Sequence, residues 1–148
     1  MQRLFPEKDA LCTLNSYMAT PKKVLCIEDD TFLVNLIMGK LADADIQAIG
    51  AHNGVVGLSM AAVEHPALIM LDLMLPDIRG NEVLVQLKKN PETKDIPVII
   101  FSNLGDREEI EKAMGQGASA YLIKSSTLPG EVVEIVKKQL EISHSSSA

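Results

Sequence analysis

Five polar side chains stand directly after short apolar runs in this chain. Glu28 and Asp29 follow Val24-Leu25-Cys26-Ile27, and Asp72 follows Ala67-Leu68-Ile69-Met70-Leu71. Ser102 follows Val98-Ile99-Ile100-Phe101, and Lys124 follows Ala120-Tyr121-Leu122-Ile123. A carboxylate at the end of a buried strand is costly unless something there pairs with it or uses it. Carboxylates brought close together repel, so one must take up a proton unless a cation neutralises them. Oxygen-only ligation suits a hard ion, and Mg²⁺, which keeps several waters and pairs with phosphate, is the expected one. One carboxylate of such a set can attack phosphorus and become an aspartyl phosphate. The charge on the transferring phosphoryl oxygens then needs cations, which Mg²⁺ and Lys124 can supply. The Ser102 hydroxyl can hydrogen-bond one of those oxygens.

That chemistry requires the five residues to meet, and the surrounding elements must bring them together. The apolar runs are continuous rather than alternating, as in strands buried on both faces. Helix signals lie between them. Asp30 or Thr31 can cap a helix with Leu33, Leu36, Ile37 and Leu41 at helical spacing. Ile46 to Ile49 reads as a short strand ended by Gly50, and Val55 to Val63 as a helix stopped before Pro66. Pro76 and Gly80 mark a loop after Asp72. Asn81 can cap a helix with Val83, Leu84 and Leu87 on one face, ending at Lys88-Lys89-Asn90-Pro91, where both lysines read as solvated. Asp106 with Glu109 resembles a capping box for a helix that runs to Met114. Thr127 can cap a last helix with Val132, Val133, Val136 and Leu140 inward. Met60, Met70 and Met114 read as core filler, and His52, His65 and His144 as surface residues. Strand then helix, repeated along the chain, predicts an α/β fold: a parallel, doubly wound sheet with helices on both faces. In such a sheet the carboxyl ends of the strands share one edge, where ligands bind.

Composition narrows the function. The chain has 148 residues, 47% of them hydrophobic, which suits a single core. A net charge of −6 argues against direct binding of nucleic acid. Cys12 and Cys26 have no metal-ligand spacing, and Cys26 lies in an apolar run, so a reduced, cytoplasmic protein is expected. No transmembrane or signal-peptide pattern is seen. Residues 1–20 read as an N-terminal extension, 21–142 as the folded domain and 143–148 as a flexible tail.

Four segments taken together carry a family resemblance. Leu25-Cys26-Ile27-Glu28-Asp29-Asp30, Leu71-Asp72-Leu73-Met74-Leu75-Pro76, Ile100-Phe101-Ser102 and Tyr121-Leu122-Ile123-Lys124 resemble the receiver domain of two-component response regulators. The resemblance spans about residues 22 to 142. It implies a flavodoxin-like sheet of five strands in the order 2-1-3-4-5. It implies that Asp72 is the phosphoacceptor and that Lys124 binds the phosphoryl group. Asp29 and Asp72 would hold Mg²⁺ directly, Met74 through its backbone carbonyl, and Glu28 through water. Ser102 and Tyr121 would form the switch pair. The implied role is phosphorelay signalling rather than enzymatic turnover, with at most intrinsic self-phosphorylation and self-dephosphorylation. The implied phosphodonor is a histidine kinase or a histidine phosphotransfer protein. The implied output is a protein target on the helix 4–strand 5–helix 5 face, about Asp106 to Leu140, which could also support a homodimer. No membrane partner is implied.

Two residues depart from the family pattern. Ser125 stands where a proline usually follows the lysine in a cis bond. Without proline a cis bond costs roughly 3–4 kcal/mol, so a trans loop is expected. Asn103 replaces a small residue after Ser102 and is expected to alter dephosphorylation. The other readings are a receiver-like scaffold that needs no phosphorylation and an enzyme on a similar fold. An aspartate-nucleophile phosphatase would want an acid two residues after the nucleophile, where this chain has Met74. A flavodoxin-like FMN binder would want a hydroxyl- and Gly-rich loop, where this chain has Glu28-Asp29-Asp30.

Overall fold

The computed structural model describes residues 22–147, with side chains through residue 142. The expected extension at 1–20, Cys12 and the His144 side chain lie outside the described residues.

Five strands form one sheet: β1 (Lys23–Ile27), β2 (Gln47–Ala51), β3 (Leu68–Leu71), β4 (Val98–Ser102) and β5 (Ala120–Ile123). Their order is β2-β1-β3-β4-β5, and every neighbouring pair is parallel. The intervening helices are α1 (Thr31–Asp43), α2 (Gly54–Glu64), α3 (Gly80–Lys89), α4 (Arg107–Gly115) and α5 (Pro129–Ser147).

Alternation along each strand divides the core in two. Leu25, Ile27, Ile69, Leu71, Val98 and Ile100 face one side, against Ala61 of α2, Val83, Leu84 and Leu87 of α3, and Ala113 of α4. Val24, Cys26, Leu68, Met70, Ile99 and Phe101 face the other, against Ile37 and Leu41 of α1 and Val132, Val136 and Leu140 of α5. An apolar side chain of this size contributes roughly 1.5–3 kcal/mol when buried. Burial on both faces is why the runs Val24–Ile27, Leu68–Leu71 and Val98–Phe101 are continuously apolar.

Several local expectations are corrected. β2 runs through Gly50, which pairs with Cys26 in the ladder. A ladder needs only the main chain, so glycine did not end the strand. In α1 the inward stripe is Val34, Ile37 and Leu41, while Leu36 is exposed. Asp30 is the α1 cap, its carboxylate accepting from Leu33 N at 3.2 Å. Asn81 is not the cap of α3: the helix begins one residue earlier, at Gly80, with Arg79 at the cap position and no side-chain cap bond. Asp106 occupies the cap position of α4 but makes no capping bond, so the expected box does not form. The Thr127 hydroxyl donates back to Ile123 O at 2.8 Å instead of capping α5. Glu131 accepts from Leu128 N at 2.9 Å there, and Pro129 opens the helix, where its missing N–H costs nothing. The backbone of α5 is helical through Ser147. Met114 is exposed rather than core, at 44%. Lys88 is half-buried: its ammonium donates to Ile96 O at 2.8 Å and Lys94 O at 3.2 Å, and burial lowers its pKa.

Candidate functional site

The central strands end side by side, and that fixes the acids. Ile27 of β1 pairs with Leu71 of β3, so Glu28 and Asp72 leave the sheet as neighbours. Asp72 N donates to Ile27 O at 3.0 Å, and Glu28 N to Ala51 O at 2.9 Å. Both residues are buried, at 6% and 5% exposure, while Asp29 is exposed. Carboxylate oxygens of Glu28, Asp29 and Asp72 all lie within 4.8 Å of one another.

Lys124 arrives from the end of β5 and enters this cluster. Its ammonium is 3.0 Å from Asp72 Oδ2, and it also ion-pairs with Glu28 Oε1. It lies 6.0 Å from the centroid of the Phe101 ring. The Lys124–Ser125 peptide is trans, as expected without proline, and opens a short 3₁₀ turn over Lys124–Ser126. The Thr127 bond to Ile123 O closes that turn.

The second Asp72 oxygen is held by backbone. Met74 N donates to Oδ1 at 3.1 Å, and the Met74 side chain is exposed. The loop can fold back this way because residue 80 is glycine. A Cβ there would fall 2.3 Å from Asp72 O and 2.4 Å from Leu73 Cα. Gly80 N closes the loop onto Leu73 O at 2.9 Å.

Ser102 is fully buried at the end of β4. Its Oγ accepts from Leu104 N at 3.3 Å, and the Tyr121 hydroxyl donates to Leu104 O. The two are thus joined through a single peptide residue. Among the described residues neither hydrogen-bonds the carboxylates. Two participants were missed by sequence reasoning. Leu104 acts through its backbone, which no side-chain pattern can reveal. Asp77 accepts from Gly54 N at 2.8 Å and Val55 N at 2.9 Å, partners too distant in sequence for any local pattern.

Electrostatics follow from burial and crowding. Burial pushes the Glu28 carboxyl up to about 7; the Lys124 ammonium opposes the rise and the Asp72 charge adds to it. Burial alone would lower Lys124, but Glu28 and Asp72 hold it above its ordinary value. Burial raises the Tyr121 phenol, and the charges of Glu109, Asp106 and Asp72 add to that. Burial, with Glu28 nearby, pushes the Cys26 thiol up to about 12, so it is inert as a nucleophile. Desolvation favours a neutral Asp77, but the Gly54 and Val55 N–H groups outweigh it and hold the carboxyl below its ordinary value.

The cluster fits a hard cation. Three carboxylates gather here, and the Lys124 ammonium pairs with two of them, Glu28 and Asp72. Glu28 Oε1 is buried and touches that ammonium without an aligned hydrogen bond, leaving oxygen capacity unused. Oxygen donors with excess negative charge are the set that Mg²⁺ selects.

Comparison with known proteins agrees with this geometry. The response regulator receiver domain family matches residues 24–137. The polar-differentiation response regulator DivK of Brucella anthropi is 32% identical over 123 residues, covering 81% of this chain and 97% of DivK. The signal receiver domain of a Luxo repressor protein from Vibrio parahaemolyticus superposes with a TM-score of 0.80 at 25% identity, covering 86% of this chain and 95% of that one. The BeF3-activated DrrB receiver domain superposes with a TM-score of 0.71 at 28% identity, covering 82% and 99%. No described helix is long and apolar enough to cross a membrane. A parallel sheet in the order 2-1-3-4-5, acids and a lysine gathered at its carboxyl edge, and these likenesses lead to one conclusion: the chain belongs to the response-regulator receiver domain family.

Proposed function

We propose that this receiver domain accepts a phosphoryl group on Asp72 in a Mg²⁺-dependent reaction and thereby changes a protein-binding surface. The observation that carries the reading is the Asp72 carboxylate, buried and held between the Lys124 ammonium at 3.0 Å and the Met74 N–H at 3.1 Å. The similar DrrB receiver domain exists in a BeF3-activated form, which supports it. A histidine kinase or histidine phosphotransfer protein supplies the phosphoryl group. An Asp72 oxygen attacks phosphorus as the P–N bond of the phosphohistidine breaks, and the bonding electrons leave with the imidazole nitrogen. Lys124 pairs with a phosphoryl oxygen as charge shifts onto it. Asp29 and Asp72 would hold Mg²⁺, with the Met74 carbonyl, and Glu28 through water; the ion supplies the remaining neutralising charge.

The response begins at Ser102. Its hydroxyl leaves Leu104 N and donates to a phosphoryl oxygen. The Leu104 main chain then shifts, Tyr121 loses its acceptor, and the ring turns inward. One new charge thus biases two packings of the β4–α4 loop. The output surface is α4, β5 and α5, about Asp106 to Leu140, facing a cytoplasmic protein target or a second copy of the chain. The domain itself binds neither nucleic acid nor membrane. Its own chemistry is limited to self-phosphorylation from small donors and self-dephosphorylation, the latter tuned by exposed Asn103.

Intact mass after incubation with acetyl phosphate tests the assignment. One phosphoryl adduct is expected with Mg²⁺, none without it and none on Asp72→Asn. Equal labelling of the mutant would move the phosphoacceptor elsewhere. No adduct on the wild type, even with a cognate phosphotransfer protein, would favour a phosphorylation-independent scaffold.

A further inference from the structure

We propose that Asp77 is a positioning residue for the cation and phosphoryl site. It clamps the β3–α3 loop to the N-terminus of α2 and so fixes the Met74 backbone beside Asp72. The inference rests on the cation reading given above.

Both Asp77 oxygens are engaged, Oδ1 by Gly54 N at 2.8 Å and Oδ2 by Val55 N at 2.9 Å. These are the first two N–H groups of α2, orphans of the helix end with a partial positive charge. α2 already has its own cap, since Asn53 Oδ1 accepts from Val56 N at 2.8 Å. Asp77 is therefore an addition from a loop more than twenty residues away, not the cap the helix needs to start.

The backbone is shaped to admit it. A Cβ on Gly54 would fall 2.4 Å from Ile78 Cγ1, so Ile78 packs directly on bare main chain. The loop is thus anchored twice: at its base by Gly80 N to Leu73 O, at 2.9 Å, and at its tip by Asp77 and Ile78. Met74 lies between those anchors. Its N–H orients one Asp72 oxygen, and its carbonyl belongs to the cation set in the reading above. Without the tip anchor, the loop is free to carry Met74 away from Asp72. Partners that orient metal ligands in this way commonly govern affinity by about 10- to 100-fold.

The test compares Asp77→Ala, Asp77→Asn and Asn53→Ala with the wild type. Mg²⁺ alone is titrated by calorimetry, and Met74 amide exchange is followed by NMR on the metal-free protein. Asp77→Ala should weaken Mg²⁺ binding about tenfold or more and speed Met74 exchange to a similar extent. Asp77→Asn, which keeps one acceptor, should lie between. Asn53→Ala removes a cap from the same helix and should change neither readout. Unchanged Mg²⁺ affinity and Met74 exchange in Asp77→Ala would overturn the clamp. So would equal effects from Asn53→Ala, because the cause would then be general loosening of α2. If Asp77→Ala does not fold, Asp77→Asn decides. If the wild type binds no Mg²⁺, the cation reading fails, and Met74 exchange still decides whether Asp77 holds the loop.

Discussion

Glu28 is the residue whose protonation most depends on its surroundings. Its ordinary value of 4.5 is pushed up to about 7, first by burial, with Lys124 opposing and Asp72 reinforcing. Between those values the folded chain keeps a proton that the unfolded chain has released. Its contribution to stability is therefore full below 4.5 and is lost as pH rises through about 7. Glu28→Gln removes that dependence. In urea denaturation of the metal-free protein, the variant should gain on the wild type between pH 5 and pH 8 by roughly 1–2 kcal/mol. An unchanged difference across that range would mean that Glu28 is ionised throughout. Metal acts in the opposite direction: ligation needs the carboxylates free of protons, so Mg²⁺ affinity should rise over the same interval.

Helix and loop geometry sets how much change the site tolerates. Gly80→Ala would drive a methyl group into Asp72 O and Leu73 Cα, both of them backbone. The expected cost is roughly 1–3 kcal/mol, with loss of acetyl phosphate labelling even where the variant folds, read by thermal melts and intact mass. At the other end of the molecule, His65 ends α2 in the left-handed region, at φ 47° and ψ 58°. Glycine occupies that region without the Cβ penalty. His65→Gly should therefore gain roughly 0.5–1 kcal/mol in chemical denaturation, with labelling of Asp72 unchanged. A loss of stability would show that the histidine makes a contact worth more than the strain.

The whole domain carries the energetics of its crowded edge. Three acids meet one lysine there, and the sheet holds them together against repulsion. A cation that binds only the folded state pulls the folding equilibrium toward it. At a Mg²⁺ concentration one hundred times the Kd, global stability should rise by about 2.7 kcal/mol, seen as a higher urea midpoint. Chelation should reverse it. Asp72→Asn should shrink the gain while raising metal-free stability, because it removes one of the repelling charges. Equal gains in wild type and mutant would place Mg²⁺ away from Asp72.

The sequence by itself determined the parallel sheet and the identity of the gathered residues. Short, turn-bounded apolar runs such as Leu68–Leu71, alternating with helical patterns, read as strands covered on both faces, and parallel strands share a carboxyl edge. Glu28, Asp29, Asp72 and Lys124 therefore converge whatever the details between them. Caps and strand ends were less legible, because they depend on which backbone groups remain unpaired after packing. Gly50 stays in β2 because β1 supplies its ladder, and Arg79 replaces Asn81 at the α3 cap because Gly80 must pass under Asp72. Only the tertiary structure decided that Tyr121 reaches the same Leu104 main chain as Ser102 and that Asp77 reaches the start of α2. The Tyr121 and Asp77 bonds join side chains to main chain far away in sequence, and a main-chain partner leaves no mark in the residue types.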